Sequence, residues 1–318
     1  MVDNKSYKAE QIKVLEGLEA VRNEFDVVEL SKKIKRQGDV LILSKELKIR
    51  PRILNSAIDE GRVLSLFPDV EKSKAGALAR LKTDRELKLF IEKNNVKRVS
   101  VRELIALIKE WNDGLLNNPL KLLTQEEHDL MIGSLLGDAS IRQRDKNSCF
   151  RVAHSIKQKE YINYKLKNLN NFNISEFNEK TRIINGRELK MIYLSTKTHP
   201  VFNYYRNLFY KNGIKTITFE LLNQLTPRAI SYWVCDDGSF SKTQKYIILC
   251  TNSFSLEEHK LIKDFFNKRF GLNPTIGFRD KKYYYLRFSK GDTEKLIKII
   301  EPFIPQSMKY KIGEIEDA

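Results

Sequence analysis

Apolar positions recur at helical spacing through the first third of the chain and change to strict alternation in stretches beyond it. Residues 8–22, KAEQIKVLEGLEAVR, predict one amphipathic helix. Residues 40–64 predict two more, with Ser44 as an N-cap, a break at Ile49-Arg50, Pro51 in a first turn and Gly61 at the end. That spacing suits a helix-turn-helix with Arg50, Arg52 and Asn55 near the start of a recognition helix. It suits equally two ordinary helices packed through Leu43, Leu47, Ile53, Leu54 and Ile58. A further helical pair covers residues 83–94 and 100–111. Trp111-Asn112-Asp113-Gly114 ends that pattern and Pro119 discourages its continuation, so a seam is expected at Asn117-Asn118-Pro119. The expected division is a leading helix over 1–22, a helical module over 23–118 and a second domain over 119–318.

From residue 120 the texture differs. Thr124-Gln-Glu-Glu127 is a capping-box pattern opening a helix that runs to Asp138. In the basic stretch that follows, RQRDKNSCFRVAHS, residues Arg151, Ala153 and Ser155 share one face, while Phe150, Val152 and Ile156 share the other. Asn185-Gly186 marks a hairpin turn within 182–195. The order then repeats: a helix from Pro227 to Gly238, strands through Asn252, a capped helix after Ser255, a hairpin over 274–288 and a last helix over 292–300. In the 274–288 hairpin, Lys281, Tyr283, Tyr285 and Arg287 are expected on one face. Asp138 and Asp237 end the corresponding helices 99 residues apart. The fold class is α+β: a pseudo-twofold, duplicated αββαββα domain preceded by a small all-helical module.

Charge identifies the kind of partner. Lys plus Arg number 57 against 41 Asp plus Glu, a formal +16, and residues 119–318 hold +11 of it against +5 for 1–118. A polyanion, nucleic acid first, is the natural partner, because neutralised phosphates release counterions. With 41% hydrophobic residues the chain can build real cores, which argues against general disorder. No apolar run approaches a bilayer span and the start lacks a signal-peptide core, so an intracellular protein with no membrane partner is expected. Cys149, Cys235 and Cys250 form no C-x-x-C pair, and the four scattered histidines suggest no metal cluster.

The chemistry lies at the two acidic helix ends. Each helix carries small residues at i and i+4, Gly133 and Gly137 in the first, Ser231 and Cys235 in the second, which would let the two pack side by side. Their carboxylates would then meet, and a divalent cation between them could activate water and stabilise a phosphodiester transition state. The bland reading is that each Asp is a solvated helix end. Residues 131–139, MIGSLLGDA, and 230–238, ISYWVCDDG, resemble the paired motifs of the LAGLIDADG homing endonucleases, in their single-chain, intron-encoded branch. The resemblance spans about 124–312 and includes GDASIRQRD, KTIT at 215–218, LTPRAISYWVCDDGSF, ILCTNSFSLEEHKLI and EPFIPQSMKYKI in order.

The resemblance implies catalytic, metal-binding roles for Asp138 and Asp237, with Mg2+ or Mn2+ as cofactor and Asp236 a neighbour rather than a ligand. It places Lys215 and Lys311 beside the metals. It turns the strands into a saddle on double-stranded DNA, with Arg142, Arg144, Arg151, Lys190, Lys242, Lys281, Tyr283, Tyr285 and Arg287 as candidate contacts, each otherwise a solvated surface group. Two motifs in one chain imply a monomer. Ala139 and the bulky Tyr232 and Trp233 depart from the pattern. The alternative is a non-cleaving nucleic-acid binder, either an intron RNA maturase or a transcription regulator. Residues 8–22 separately resemble the start of gyrase-type topoisomerase ATPase subunits, which implies an exon-derived opening or a chance amphipathic helix. That likeness stops at Arg22, and no ATP-site motif follows.

Overall fold

The computed structural model describes residues 21–22, 25–34, 37–46, 49–169, 171–184 and 187–314. Most of the expected helix at 8–22, the side chain of Leu47 and the Asn185-Gly186 turn lie outside the described residues. The chain divides into two compact units, 1–112 and 113–318.

The first unit is helical. It contains α1 (Val27–Lys33), α2 (Gln37–Glu46), α3 (Pro51–Leu66), α4 (Lys72–Leu78), α5 (Asp84–Lys93) and the start of α6 (Val101–Leu115). Asp26 caps α1 by accepting from the Val28 and Glu29 amides, and Thr83 caps α5 by accepting from Glu86. Two expected roles need correction. Ser44 lies buried inside α2 and caps nothing, and Gly61 is interior to α3, where a Cβ would overlap the Val27 carbonyl. That glycine marks the close crossing of α1 over α3 and does not end the helix. Arg50 and Arg52 are exposed at the start of α3, and Asn55 is half-buried. At the expected seam, α6 ends at Leu115, and Asn118 accepts from the Leu120 amide to start a short 3-10 turn at Pro119–Lys121.

The second unit repeats one topology twice. The first copy runs α7 (Gln125–Leu136), β1 (Ser140–Arg144), β2 (Asn147–Ser155), α8 (Lys159–Asn168), β3 (Ile174–Ile184), β4 (Arg187–Thr196) and α9 (Val201–Phe209). A two-strand ribbon, β5 (Tyr210–Lys211) and β6 (Ile214–Lys215), and the short α10 (Phe219–Asn223) lead to the second copy. That copy runs α11 (Pro227–Asp237), β7 (Gly238–Ser241), β8 (Tyr246–Leu249), α12 (Leu256–Phe270), β9 (Thr275–Arg279), β10 (Tyr283–Arg287) and α13 (Lys290–Ile300). Both sheets are antiparallel in equivalent order, β1-β2-β4-β3 and β7-β8-β10-β9. Capping boxes at Thr124 and Ser255 start α7 and α12.

Alternation assigns the faces of each sheet. Ile141, Phe150, Val152, Ile192 and Leu194 in one sheet, and Ile247, Leu249 and Leu286 in the other, are buried on the helix side. The residues between them in sequence form the opposite, outer face of each sheet, where long side chains such as Lys180 and Arg182 lie over Tyr193.

Candidate active site and nucleic-acid interface

The two acidic helices pack directly on one another through glycine. A Cβ at Gly133 would overlap the Ala229 carbonyl oxygen and the Tyr232 Cβ, and one at Gly137 would overlap Asp236. On α11 the close approach is therefore made at Ala229, Tyr232 and Asp236, not at the Ser231 and Cys235 pair expected from spacing. Ser231 instead donates to the Arg228 carbonyl, and burial pushes the Cys235 thiol up to about 12, as for a packing residue. Tyr232 and Trp233 are buried without separating the helices, Trp233 stacking on Phe266.

This packing brings Asp138 and Asp237 into one electrostatic neighbourhood. Burial first, then the Asp138 and Asp236 carboxylates, push the Asp237 carboxyl up to about 8, with the Trp233 indole and then Lys215 opposing the rise. Burial also acts to raise Asp138, but the His154 ring and the Lys165 and Lys311 ammoniums outweigh it and hold that carboxyl below its usual range. The lysines occupy matching places. Lys215, delivered by the β5–β6 ribbon, donates to the Leu135, Ala139 and Gly137 carbonyls at 2.6, 2.9 and 3.4 Å. Lys311, in the 3-10 turn Gln306–Ile312, donates to the Gly238 and Asp236 carbonyls at 2.8 and 3.4 Å. Each ammonium thus serves the orphan carbonyls at the C-terminal end of one acidic helix, where the helix dipole also favours positive charge. Burial lowers the Lys215 pKa, against the pull of Asp237, Asp138 and Asp236.

Asp236 is committed elsewhere. Its oxygens accept from Lys165 at 2.7 and 2.9 Å and from Tyr161 at 2.8 Å, and both charged side chains of the pair are fully buried. His154, also buried, lies between this pair and Asp138. Asp138, His154 and Asp236 are the group whose ligand atoms come within 4.8 Å of one another among the described residues. A cation held by all three would have to sit against the Lys165 ammonium, which already occupies both Asp236 oxygens. His154, Tyr161 and Lys165 were missed from sequence. The available signal was a lysine on the apolar stripe of α8, in step with Tyr161, Ile162 and Leu169.

The outer sheet faces carry most of the expected contact residues, with three exceptions. Arg142 and Arg144 are exposed on β1 opposite the buried side of Ile141, and Arg151 is half-buried near Glu176. Tyr283, Tyr285 and Arg287 alternate with buried Leu286 on β10, and Arg287 lies over the Tyr246 ring at 4.2 Å. Lys190, however, shares the parity of buried Ile192 and Leu194 and so belongs to the helix side of β4. Lys281 sits in the β9–β10 turn with a positive φ of 52°, off the strand face, and Lys242 lies in the β7–β8 turn. Lys180 and Arg182, not foreseen, occupy the outer face of β3 over the Tyr193 ring at 5.3 and 5.1 Å. A cleft of about 140 Å3 between Arg151, Glu176 and Tyr193 leads from this face to Asp138.

A duplicated fold that sets two acidic helix ends and two lysines beneath basic sheet faces suits a class of protein that acts on a phosphodiester backbone. The LAGLIDADG DNA endonuclease family matches residues 128–296, more than half of the chain, and the chain belongs to that family. It is 32% identical over 200 residues to the cytochrome b mRNA maturase bI2 of Debaryomyces hansenii, covering 61% of this chain and 76% of that one. It is 29% identical over 200 residues to "Probable intron-encoded endonuclease 1" of Wickerhamomyces canadensis, covering 60% and 85%. Among solved structures, the homing endonuclease I-WcaI bound to its DNA recognition sequence is similar at 25% identity and a TM-score of 0.55, over 65% of this chain and 92% of that one.

Proposed function

We propose that this chain, as a monomer, cuts both strands of a long, asymmetric double-stranded DNA site, with Mg2+, or Mn2+ in its place, held by Asp138 and Asp237. The carrying observation is the packing of α7 on α11 through Gly133 and Gly137, which sets the two acidic helix ends side by side, each with a lysine on its terminal carbonyls; a divalent cation would offset the repulsion of carboxylates gathered there. When bound, such a cation lowers the pKa of water and neutralises charge on the phosphodiester transition state. Lys215 and Lys311 hold the two helix ends in register and keep positive charge beside them. Arg142, Arg144, Arg151, Lys180, Arg182, Tyr283, Tyr285 and Arg287 offer a basic and aromatic surface to the groove. The helical module adds DNA contacts through Arg50 and Arg52. The similarity to I-WcaI, solved on its DNA site, supports this reading.

The test is incubation with Mg2+ of a randomised duplex library and of an intronless topoisomerase gene. Wild type is expected to cut a discrete site, and Asp138→Asn and Asp237→Asn to cut it at least about 100-fold more slowly. Wild type no more active than those variants would sink the proposal. The similarity to a cytochrome b mRNA maturase favours intron RNA as a second partner. On that reading, RNA binding survives Asp138→Asn.

A further inference from the structure

We infer that Asp236 and His154 position Asp138 from beneath, so that the two halves hold their acidic residues by different means and cut the two DNA strands unequally. The inference rests on the nuclease reading. It begins with one difference between the motifs: position seven is Gly137 in the first and Asp236 in the second. The helix packing sets these two against each other, with no room for a side chain at Gly137. Asp236 therefore reaches into the opposite half.

There it meets four groups. The Asp138 backbone amide donates to Asp236 Oδ2 at 3.3 Å, which ties the peptide of one metal-binding residue to the neighbour of the other. Lys165 and Tyr161, both on α8, hold the Asp236 carboxylate. His154, on the buried face of β2, spans the remaining gap, with Nδ1 3.4 Å from Asp138 Oδ2 and Nε2 3.8 Å from Asp236 Oδ1. Its ring packs 5.0 Å from that of Tyr161. Among the described residues no histidine or ion pair stands beside Asp237.

A buried ion pair is a weak source of stability, because desolvation offsets its attraction, but its geometry is rigid once every oxygen is engaged. Asp236 is engaged in this way. Partners that orient a ligating carboxylate without touching the metal usually change affinity or activity about 10- to 100-fold when removed. In the second half the Trp233 indole acts on Asp237 and, among the described residues, no buried ion pair or histidine stands in the equivalent place, so the change on removing His154 or the Asp236–Lys165 pair should fall on one strand.

The test is strand-resolved cleavage of an end-labelled duplex carrying the target site, in Mg2+. His154→Phe fills the same space without ring nitrogens, and Lys165→Met with Asp236→Asn removes the pair without orphaning a charge. Both are expected to bind the duplex in EDTA as wild type does. One strand should be cut about tenfold more slowly relative to the other, so that nicked DNA accumulates, and His154→Gln should recover part of the loss. Calorimetric titration of Ca2+ into the protein–DNA complex should show weaker binding for His154→Phe. Equal slowing of both strands, or an unchanged ratio with wild-type Ca2+ affinity, would overturn the inference. Absence of any cut by wild type would overturn the nuclease reading instead. If the double variant fails to fold, the His154→Phe strand ratio decides alone.

Discussion

At residue scale the two motif carboxylates are chemically unlike. The His154 ring and the Lys165 and Lys311 ammoniums hold the Asp138 carboxyl below its usual range, whereas burial and the neighbouring carboxylates push that of Asp237 up to about 8. A carboxyl whose folded pKa lies above its unfolded value favours the folded state most at low pH, and this contribution is lost as pH rises through the folded pKa. Metal-free wild type should therefore lose stability between about pH 4 and pH 8 through this group. Asp237→Asn removes that slope, so in EDTA its Tm should exceed the wild-type value more at pH 8 than at pH 5.5. Parallel Tm curves for the two proteins would contradict this. Adding Mg2+ at pH 8 should narrow the difference, because a cation favours the ionised carboxylate.

At the scale of elements, the site exists because α7 and α11 approach more closely than ordinary side chains allow. Gly133 lies under the Ala229 carbonyl and Tyr232, and Gly137 lies against Asp236. Gly133→Ala should lower stability by about 1–3 kcal/mol or more, despite the higher helix propensity of Ala, because overpacking is not relieved by a backbone neighbour. Chemical denaturation of this variant checks it, and a gain in stability would mean that the helices can slide apart. Much of this level was legible in the sequence. Capping boxes at Thr124 and Ser255, the alternation after Ser140 and the two acidic helix ends all mark their elements locally. The exact contact stripe on α11 was not, because Ser231 and Cys235 have the same i,i+4 spacing as true contact residues. Only the rotation of the helix about its axis distinguishes them. Gly61 shows the same ambiguity: a helix glycine can be an end or a crossing point, and Val27 decides it.

At the scale of the whole molecule, residues 119–318 carry a charge of +11, and Arg142, Arg144, Arg151, Lys180, Arg182 and Arg287 put part of it on the two outer sheet faces. Phosphate contacts are expected to make DNA affinity fall steeply with salt. Arg182→Ala, on the outer face of β3, should weaken DNA binding and flatten that salt slope by about one unit. Lys190→Ala, one strand away on the helix side, should change neither by more than a small fraction. Arg50→Ala with Arg52→Ala tests the helical module in the same assay, where a reduced slope is expected. Equal effects of Arg182→Ala and Lys190→Ala in salt titrations would mean that the face assignment is wrong.

The order of elements and their duplication were accessible from the sequence through periodicity and capping, and the family likeness through its paired motifs, which also nominate Asp138, Asp237, Lys215 and Lys311 as the residues to test. What the tertiary structure decided was which residues meet across long separations. His154 lies between Asp138 and Asp236, Lys165 neutralises Asp236 from α8, and Lys180 replaces Lys190 on the outer face. Local pattern records which positions are buried, but a buried histidine or lysine gains its role only from the groups that folding brings within a few ångströms of it.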